Sequence, residues 1–231
     1  MAIELSAAER AYRTIRRKIV SLELAPNTAV GELQLADMLG VSRTPIREAL
    51  TRLSSEGLVD FRSRAGTTVA PIRLDAVRAA QFVREKLEVA IVREAAAESS
   101  RRFKFSVQQA VEEQKFAITD GDTALFFASD ERMHQSFAEM AGRPAVWPVI
   151  SEAKKHMDRL RWLSLATVSA YDLNTLLDDH VELFNAIAAH DSDRAQVVME
   201  LHLRRVMAQI DQLVAAQPDY FETIPIEQET E

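Results

Sequence analysis

The 231-residue chain has no cysteine, so no disulfide framework can hold it. It also lacks any run of eighteen or more apolar residues and a signal-like N-terminus, which speaks against a membrane span or secretion and for a cytoplasmic protein. Glycine is scarce. Only Gly121 and Gly142 occur beyond residue 71, where no convincing strand pattern is found either, so that stretch is expected to be helical throughout. Positive charge is also in deficit, with a net charge of −7. Residues 1–72 nevertheless carry ten Lys and Arg against eight Asp and Glu, a balance of +2, and the remainder carries 18 against 27, a balance of −9. The acidity therefore lies outside the N-terminal segment, which can still hold phosphates in a salt-sensitive way.

What is present is concentrated in residues 40–50, Gly-Val-Ser-Arg-Thr-Pro-Ile-Arg-Glu-Ala-Leu. Ser42 or Thr44 can cap a helix, Pro45 is tolerated in its first turn, and Gly57 suits the stop, which predicts a helix from about Arg43 to Glu56. Ile46, Ala49, Leu50 and Leu53 share one face, while Arg43 and Arg47 share another with Thr44 close by. Arginine forks suit a guanine edge or a phosphate, although two arginines on a helix by themselves more often mark a solvated face. The surroundings favour the first reading. Tyr12, Ile15, Ile19 and Leu22 repeat at helical spacing, Pro26-Asn27 breaks the chain, and Leu35, Ala36, Met38 and Leu39 form a short helix ending at Gly40. Leu58–Phe61 and Thr67–Ala70 read as strands around the polar turn from Arg62 to Gly66. Three helices and a hairpin make a winged helix-turn-helix.

Over roughly residues 8–70 the chain closely resembles the DNA-binding domain of the GntR family of bacterial transcription regulators. The likeness is densest over Leu35-Ala36, Leu39 to Leu50, Leu53 and Glu56 to Val59. It implies that Arg43, Thr44 and Arg47, with Ser42 at the head of the same segment, contact bases and phosphates of double-stranded DNA, and that Gly66 lets the wing tip approach the minor groove. Two positions depart from the family: Leu33 stands where an arginine is usual, and Ala65 where a basic residue precedes the wing glycine. Arg62 and Arg64 are the cations left to serve the wing.

From Pro71 onward, helical periodicity marks a segment around Phe82, Leu87, Ala90, Ile91 and Ala95, then Val107–Ile118, Ala124–Met140, Val146–Leu165, Leu173–Ala189 and Arg194–Val214. The expected fold is mainly α: a winged helix-turn-helix over 1–72, an antiparallel six-helix bundle over 73–215 and a frayed acidic tail over 216–231. Phe126, Phe127 and Phe137 are expected in the bundle core.

Asp130 and His134 are four apart on one helical face, and His180 and His202 lie on the last two helices. One carboxylate and three imidazoles suit zinc, nickel or manganese, though an Asp/His pair at this spacing is by itself usually a helix-surface hydrogen bond. His156, on a charged helix face, and His190, in a turn, are set aside. Residues 75–212 resemble the FCD effector domain of the FadR-like branch of the same family, through Arg84, Glu88, Asp130, His134, Phe137, His180, Ala186-Ile187, Asp191, Ala195 and His202. The resemblance implies a metal held by Asp130, His134, His180 and His202, with zinc the first choice and nickel or manganese as alternatives. It frames a homodimeric regulator, a repressor in the first instance, that binds a pseudo-palindromic operator and a small organic acid. Arg84 is the candidate effector-binding residue, unless it serves as an i,i+4 partner of Glu88; Arg159 and Arg161 are weaker candidates. Two alternatives remain at this level: a regulator for which the ion is itself the signal, and a metal-dependent hydrolase.

Overall fold

A computed structural model describes residues 5–62, 66–98, 101–167 and 172–222. The chain forms two compact units that are not consecutive in sequence: Met1–Val77 with His156–Ala166 and Asp211–Glu231, and Arg78–Lys155 with Thr167–Ile210. These units do not coincide with segments cut in chain order at 72 and 215.

In the first unit, helix α1 (Ala7–Val20) starts where the Ser6 hydroxyl accepts from Glu9 N–H at 3.1 Å. Helix α2 (Glu32–Leu39) ends at Gly40, whose φ of 64° lies in the left-handed region that glycine adopts without strain. Helix α3 (Arg43–Ser55) follows after two residues. Strands β1 (Val59–Arg62) and β2 (Gly66–Val69) pair antiparallel, with Val59 opposite Val69 and Arg62 opposite Gly66. Ile15 and Ile19 of α1, Ile46, Leu50 and Leu53 of α3, and Leu58 close the core. The apolar stripe predicted for α3 is therefore its buried face, and the expected winged helix-turn-helix is the observed arrangement.

Two later segments complete this unit. Arg159 on α8 (Lys155–Thr167) is fully buried and donates to the carbonyls of Ala70 at 2.6 Å and Pro71 at 3.3 Å. Near the C-terminus, Ile72 N–H donates to Tyr220 O at 2.7 Å and Glu222 N–H to Ile72 O at 3.0 Å, with Phe221 buried. Residues 217–222 are thus packed and hydrogen-bonded rather than a frayed tail, because Phe221 supplies an apolar anchor that the acidic composition conceals. Residues 223–231 lie outside the described residues.

The second unit is helical, as expected. It contains most of α4 (Leu74–Glu98), then α5 (Arg101–Asp120), α6 (Thr123–Met140), α7 (Trp147–Ala153), α9 (Leu173–Ala188) and α10 (Ser192–Arg204). Asp122, Asp172 and Asp191 cap α6, α9 and α10 through their carboxylates. Val92, Ala95, Val107, Met133, Phe137, Ile150, Leu183, Ile187 and Met199 belong to one buried cluster, and Phe126 is fully buried as well.

Three expectations need correction. The segment read as one helix from Val146 to Leu165 breaks at Lys154, and the one read from Arg194 to Val214 breaks after Arg204, passing through a 3-10 turn at Met207–Gln209 before α11 (Ile210–Ala216). The first break adjoins the point where the chain leaves one compact unit for the other and the second precedes such a point by a few residues, a tertiary event that periodicity does not encode. On α4, Phe82 is 64% exposed and Ala90 is also exposed. The buried stripe instead runs through Val77, Gln81, Arg84, Glu88, Val92 and Ala95, so charged residues occupy the inner face.

Candidate functional site

Helix α3 presents Arg43 and Arg47 one turn apart, with side chains 61% and 67% exposed and Thr44 exposed between them. Ser42 occupies the N-cap position in extended backbone, although its hydroxyl makes no capping hydrogen bond. Both arginines reach back to Glu32, the first residue of α2. Arg43 donates through Nε and Nη2 at 3.2 and 2.8 Å, and Arg47 through the same two nitrogens at 2.9 and 3.0 Å. Hydrogen bonds from Arg47 and then Arg43 lower the Glu32 carboxyl to about 2. Glu32 was not foreseen, since its partners lie 11 and 15 residues away on another helix. On the wing, Arg62 is half exposed with Nη2 3.8 Å from Asp60, and Gly66 has a φ of +71° with open space where a Cβ would stand. Arg64 and Ala65 lie outside the described residues. Leu33, at a position usually occupied by arginine in the resembled family, is 64% exposed.

In the helical unit, α6 carries Asp130 and His134 on its inner face, α9 carries His180 and α10 carries His202, all of them buried. Each offers one ligand atom, and the four atoms lie within 4.8 Å of one another. The Nε2 atoms of His180 and His134 stand 3.3 and 3.7 Å from Asp130 Oδ1. The opposite nitrogens face three different acceptors: His134 Nδ1 is 2.5 Å from Glu88 Oε2, His180 Nδ1 is 2.6 Å from Gln114 Oε1, and His202 Nδ1 is 3.4 Å from Asp179 Oδ2. Only the His180 contact is a hydrogen bond; the Gln114 oxygen accepts, so it asks for the proton on His180 Nδ1 and turns that ring's Nε2 lone pair inward, while Glu88 and Asp179 place a negative charge beside the other two rings.

These acceptors are themselves held. Arg84 Nε donates to Glu88 Oε1 at 2.7 Å with both side chains buried, and Arg205 grips Asp179 through Nε and Nη2 at 2.5 and 2.7 Å. Burial alone would raise the Glu88 carboxyl, but Arg84 and His134 beside it hold it well below the usual carboxylate range. Burial likewise acts to raise Asp179, which Arg205 and His202 bring down to about 2. Burial pushes the His202 imidazole down to about 3, so it is neutral near pH 7 and its lone pair is available.

A divalent transition ion fits this donor set. One carboxylate and three imidazoles converge, the nitrogen chemistry suits zinc, nickel or manganese, and His134 Nε2 is buried with no hydrogen-bond partner. Asp130 and His134 were legible from their spacing. Gln114 was not, yet it had a signal: a polar, fully buried residue in the apolar stripe of Val107, Ala110, Val111 and Ala117. Asp179, next to His180, was likewise passed over.

Arg84 is found in its ion pair with Glu88, as the i,i+4 reading had it. Arg159 lies on the wing-side carbonyls, and Arg161 is buried 3.4 Å from Asp158. His156 is buried rather than on a charged surface, with Nε2 3.2 Å from Glu56 O. His190 sits in its turn with φ +58° and Nδ1 2.8 Å from Ala96 O.

Comparison with known proteins agrees with both units. The family described as "Bacterial regulatory proteins, gntR family" matches residues 7–69, and the FCD domain matches residues 80–205. The HTH-type transcriptional repressor RspR of Escherichia coli is 30% identical over 213 residues, covering 92% of this chain and 92% of its own length. An HTH-type transcriptional regulator from Streptomyces ambofaciens is 35% identical over 213 residues, covering 92% of this chain and 88% of that protein. Among solved structures, E. coli McbR/YncC aligns with a TM-score of 0.78 at 19% identity over 90% of this chain and 99% of that one. That likeness speaks for the fold alone.

Proposed function

The chain belongs to the gntR family of bacterial regulatory proteins and carries its FCD domain, and from that premise we propose a ligand-responsive repressor whose helical unit holds a divalent metal and a small organic acid. Transcription regulation is the family's activity, so the hydrolase alternative falls. The observation that carries the metal reading is the convergence of Asp130, His134, His180 and His202 within 4.8 Å inside a packed core. The hydrogen bond from His180 Nδ1 to Gln114, with carboxylates close to the outer nitrogens of His134 and His202, supports it further.

When bound, the metal would supply a Lewis-acidic position for a carboxylate oxygen. Asp130 and the three histidines would hold it, while Glu88, Gln114 and Asp179 lie beside the rings. Arg84 serves the site by securing Glu88 and is also the candidate second contact for the effector's carboxylate. Arg43, Thr44 and Arg47 face a major groove, with Ser42 beginning their helix, and Arg62, Arg64 and Gly66 serve the wing. Two copies would place two reading helices on a pseudo-palindromic duplex. The effector changes operator affinity by the difference in its affinity for the two dimer arrangements.

Elemental analysis of the purified protein, with mass spectrometry of released small molecules, tests the site. Stoichiometric metal that disappears in His134→Ala and His202→Ala is expected, and a metal-free wild type with no uptake would overturn it. Arg47→Ala should abolish specific retardation of a short palindromic duplex and leave metal content intact. Addition of the metal alone should raise stability; if the ion by itself switches DNA affinity, it is the signal.

A further inference from the structure

Glu32 is the acidic residue that touches both arginines on the exposed edge of α3. A carboxylate beside phosphate-binding cations weakens attraction to any DNA, so its placement calls for a compensating gain. The atoms engaged suggest one. Arg43 and Arg47 each give Glu32 their Nε and Nη2 nitrogens, the side edge of the guanidinium. The end edge, made of Nη1 and the second hydrogen of Nη2, is left over on both. Two parallel donors of that kind are what guanine O6 and N7 accept. Without the carboxylate, two like charges one helical turn apart would swing freely and repel each other.

We propose that Glu32 is a specificity-setting positioning residue, which clamps Arg43 and Arg47 by their side edges so that both end edges face the bases, while its charge opposes binding through phosphates alone. This rests on the reading of Arg43 and Arg47 as base contacts. Glu32 is well placed for such a role: it is the first residue of α2, where the helix dipole favours an anion, and only a quarter of its side chain is exposed. Leu33 beside it contributes no charge of its own, so the carboxylate acts on the arginine pair unopposed by the cation usual there.

The test compares wild type with Glu32→Gln and Glu32→Asp, using an operator selected by the wild type from a random duplex pool and a scrambled duplex of equal length. Glu32→Gln removes a charge from the reading face. It should bind the scrambled duplex more tightly, steepen the log K against log salt slope by about one, and lose roughly tenfold or more in operator-to-scrambled ratio. Glu32→Asp keeps the charge but is one methylene too short to hold both forks, so it should lose discrimination with no change in slope. A ratio within twofold of wild type in both variants overturns the proposal. So does a rise in both affinities by the same factor in Glu32→Gln, since that is charge repulsion only. Arg43→Ala and Arg47→Ala separate the two levels: if neither alters the ratio, the base-contact reading has failed, whereas loss in these variants with no loss at Glu32 refutes the positioning role alone.

Discussion

Replacing Arg84 with methionine is the sharpest probe of the helical unit, because it removes one charge from a pair that water does not reach. Both side chains are buried, 4% and 3% exposed, and Arg84 Nε lies 2.7 Å from Glu88 Oε1. Methionine fills much of the same volume, so the loss is chiefly electrostatic. Two unit charges about 4 Å apart attract by roughly 4 kcal/mol at an effective dielectric of about 20, and breaking a buried pair by removing one partner costs about 3–5 kcal/mol. Against a typical domain stability of about 5–15 kcal/mol this is a severe loss. Glu88 would be left facing His134 at 2.5 Å and would have to take up a proton or draw one onto the imidazole, either of which disturbs the metal site. Urea unfolding in a Trp162→Phe background isolates the fluorescence of Trp147, which sits in the helical unit's core. The expected result is a fall of about 3–5 kcal/mol in Arg84→Met and substantial recovery in Arg84→Met combined with Glu88→Leu, where neither charge of the pair remains. A loss below about 1 kcal/mol, coupled with weakened binding of an organic acid, would refute this reasoning and leave Arg84 with the role of effector contact alone.

Zinc added at about 100 times its Kd to chelator-treated protein should add about 2.7 kcal/mol of stability, equivalent to about 5–11 °C in Tm for a protein of this size; a full shift surviving in His202→Ala would contradict the assigned ligands. Asp179→Asn should weaken metal affinity about 10–100-fold, measured by competition with a chromogenic chelator, since it loosens both Arg205 and His202; unchanged affinity would mean that Asp179 serves only Arg205. The Tyr12 hydroxyl donates to Glu56 at 2.7 Å, and burial with that carboxylate beside it pushes the phenol up to about 12. Between pH 10 and 12 the folded chain therefore keeps a proton that the unfolded chain has lost, so stability should fall with rising pH in that window. Phenolate absorbance should show a late step near pH 12 that Tyr12→Phe lacks.

Much of the first unit was legible because its signals are local. Pro45, Gly40, Gly57 and the spacing of Ile46, Ala49, Leu50 and Leu53 act within one turn or one helix, and the observed caps and buried face follow them. The strand pair agreed to within a residue for the same reason. Phe82 was misplaced because hydrophobicity ranks phenylalanine inward, whereas Arg84 and Glu88 satisfy each other and occupy the inner stripe instead. Lys154 and Arg205 interrupt helices without any local breaker, and Phe221 anchors a tail whose composition is acidic.

By itself, the sequence determined which segments are helical, where the reading helix begins, and that Asp130 and His134 share a face, since each depends on contacts within a few residues. Tertiary structure alone decided that His180 and His202 reach the same point, that Glu88, Gln114 and Asp179 lie beside the three rings, and that Glu32 holds Arg43 and Arg47. These pairings join residues 11 to 66 positions apart or sitting on different helices. Their distances are set by how the helices pack, and a one-dimensional period carries no information about that packing.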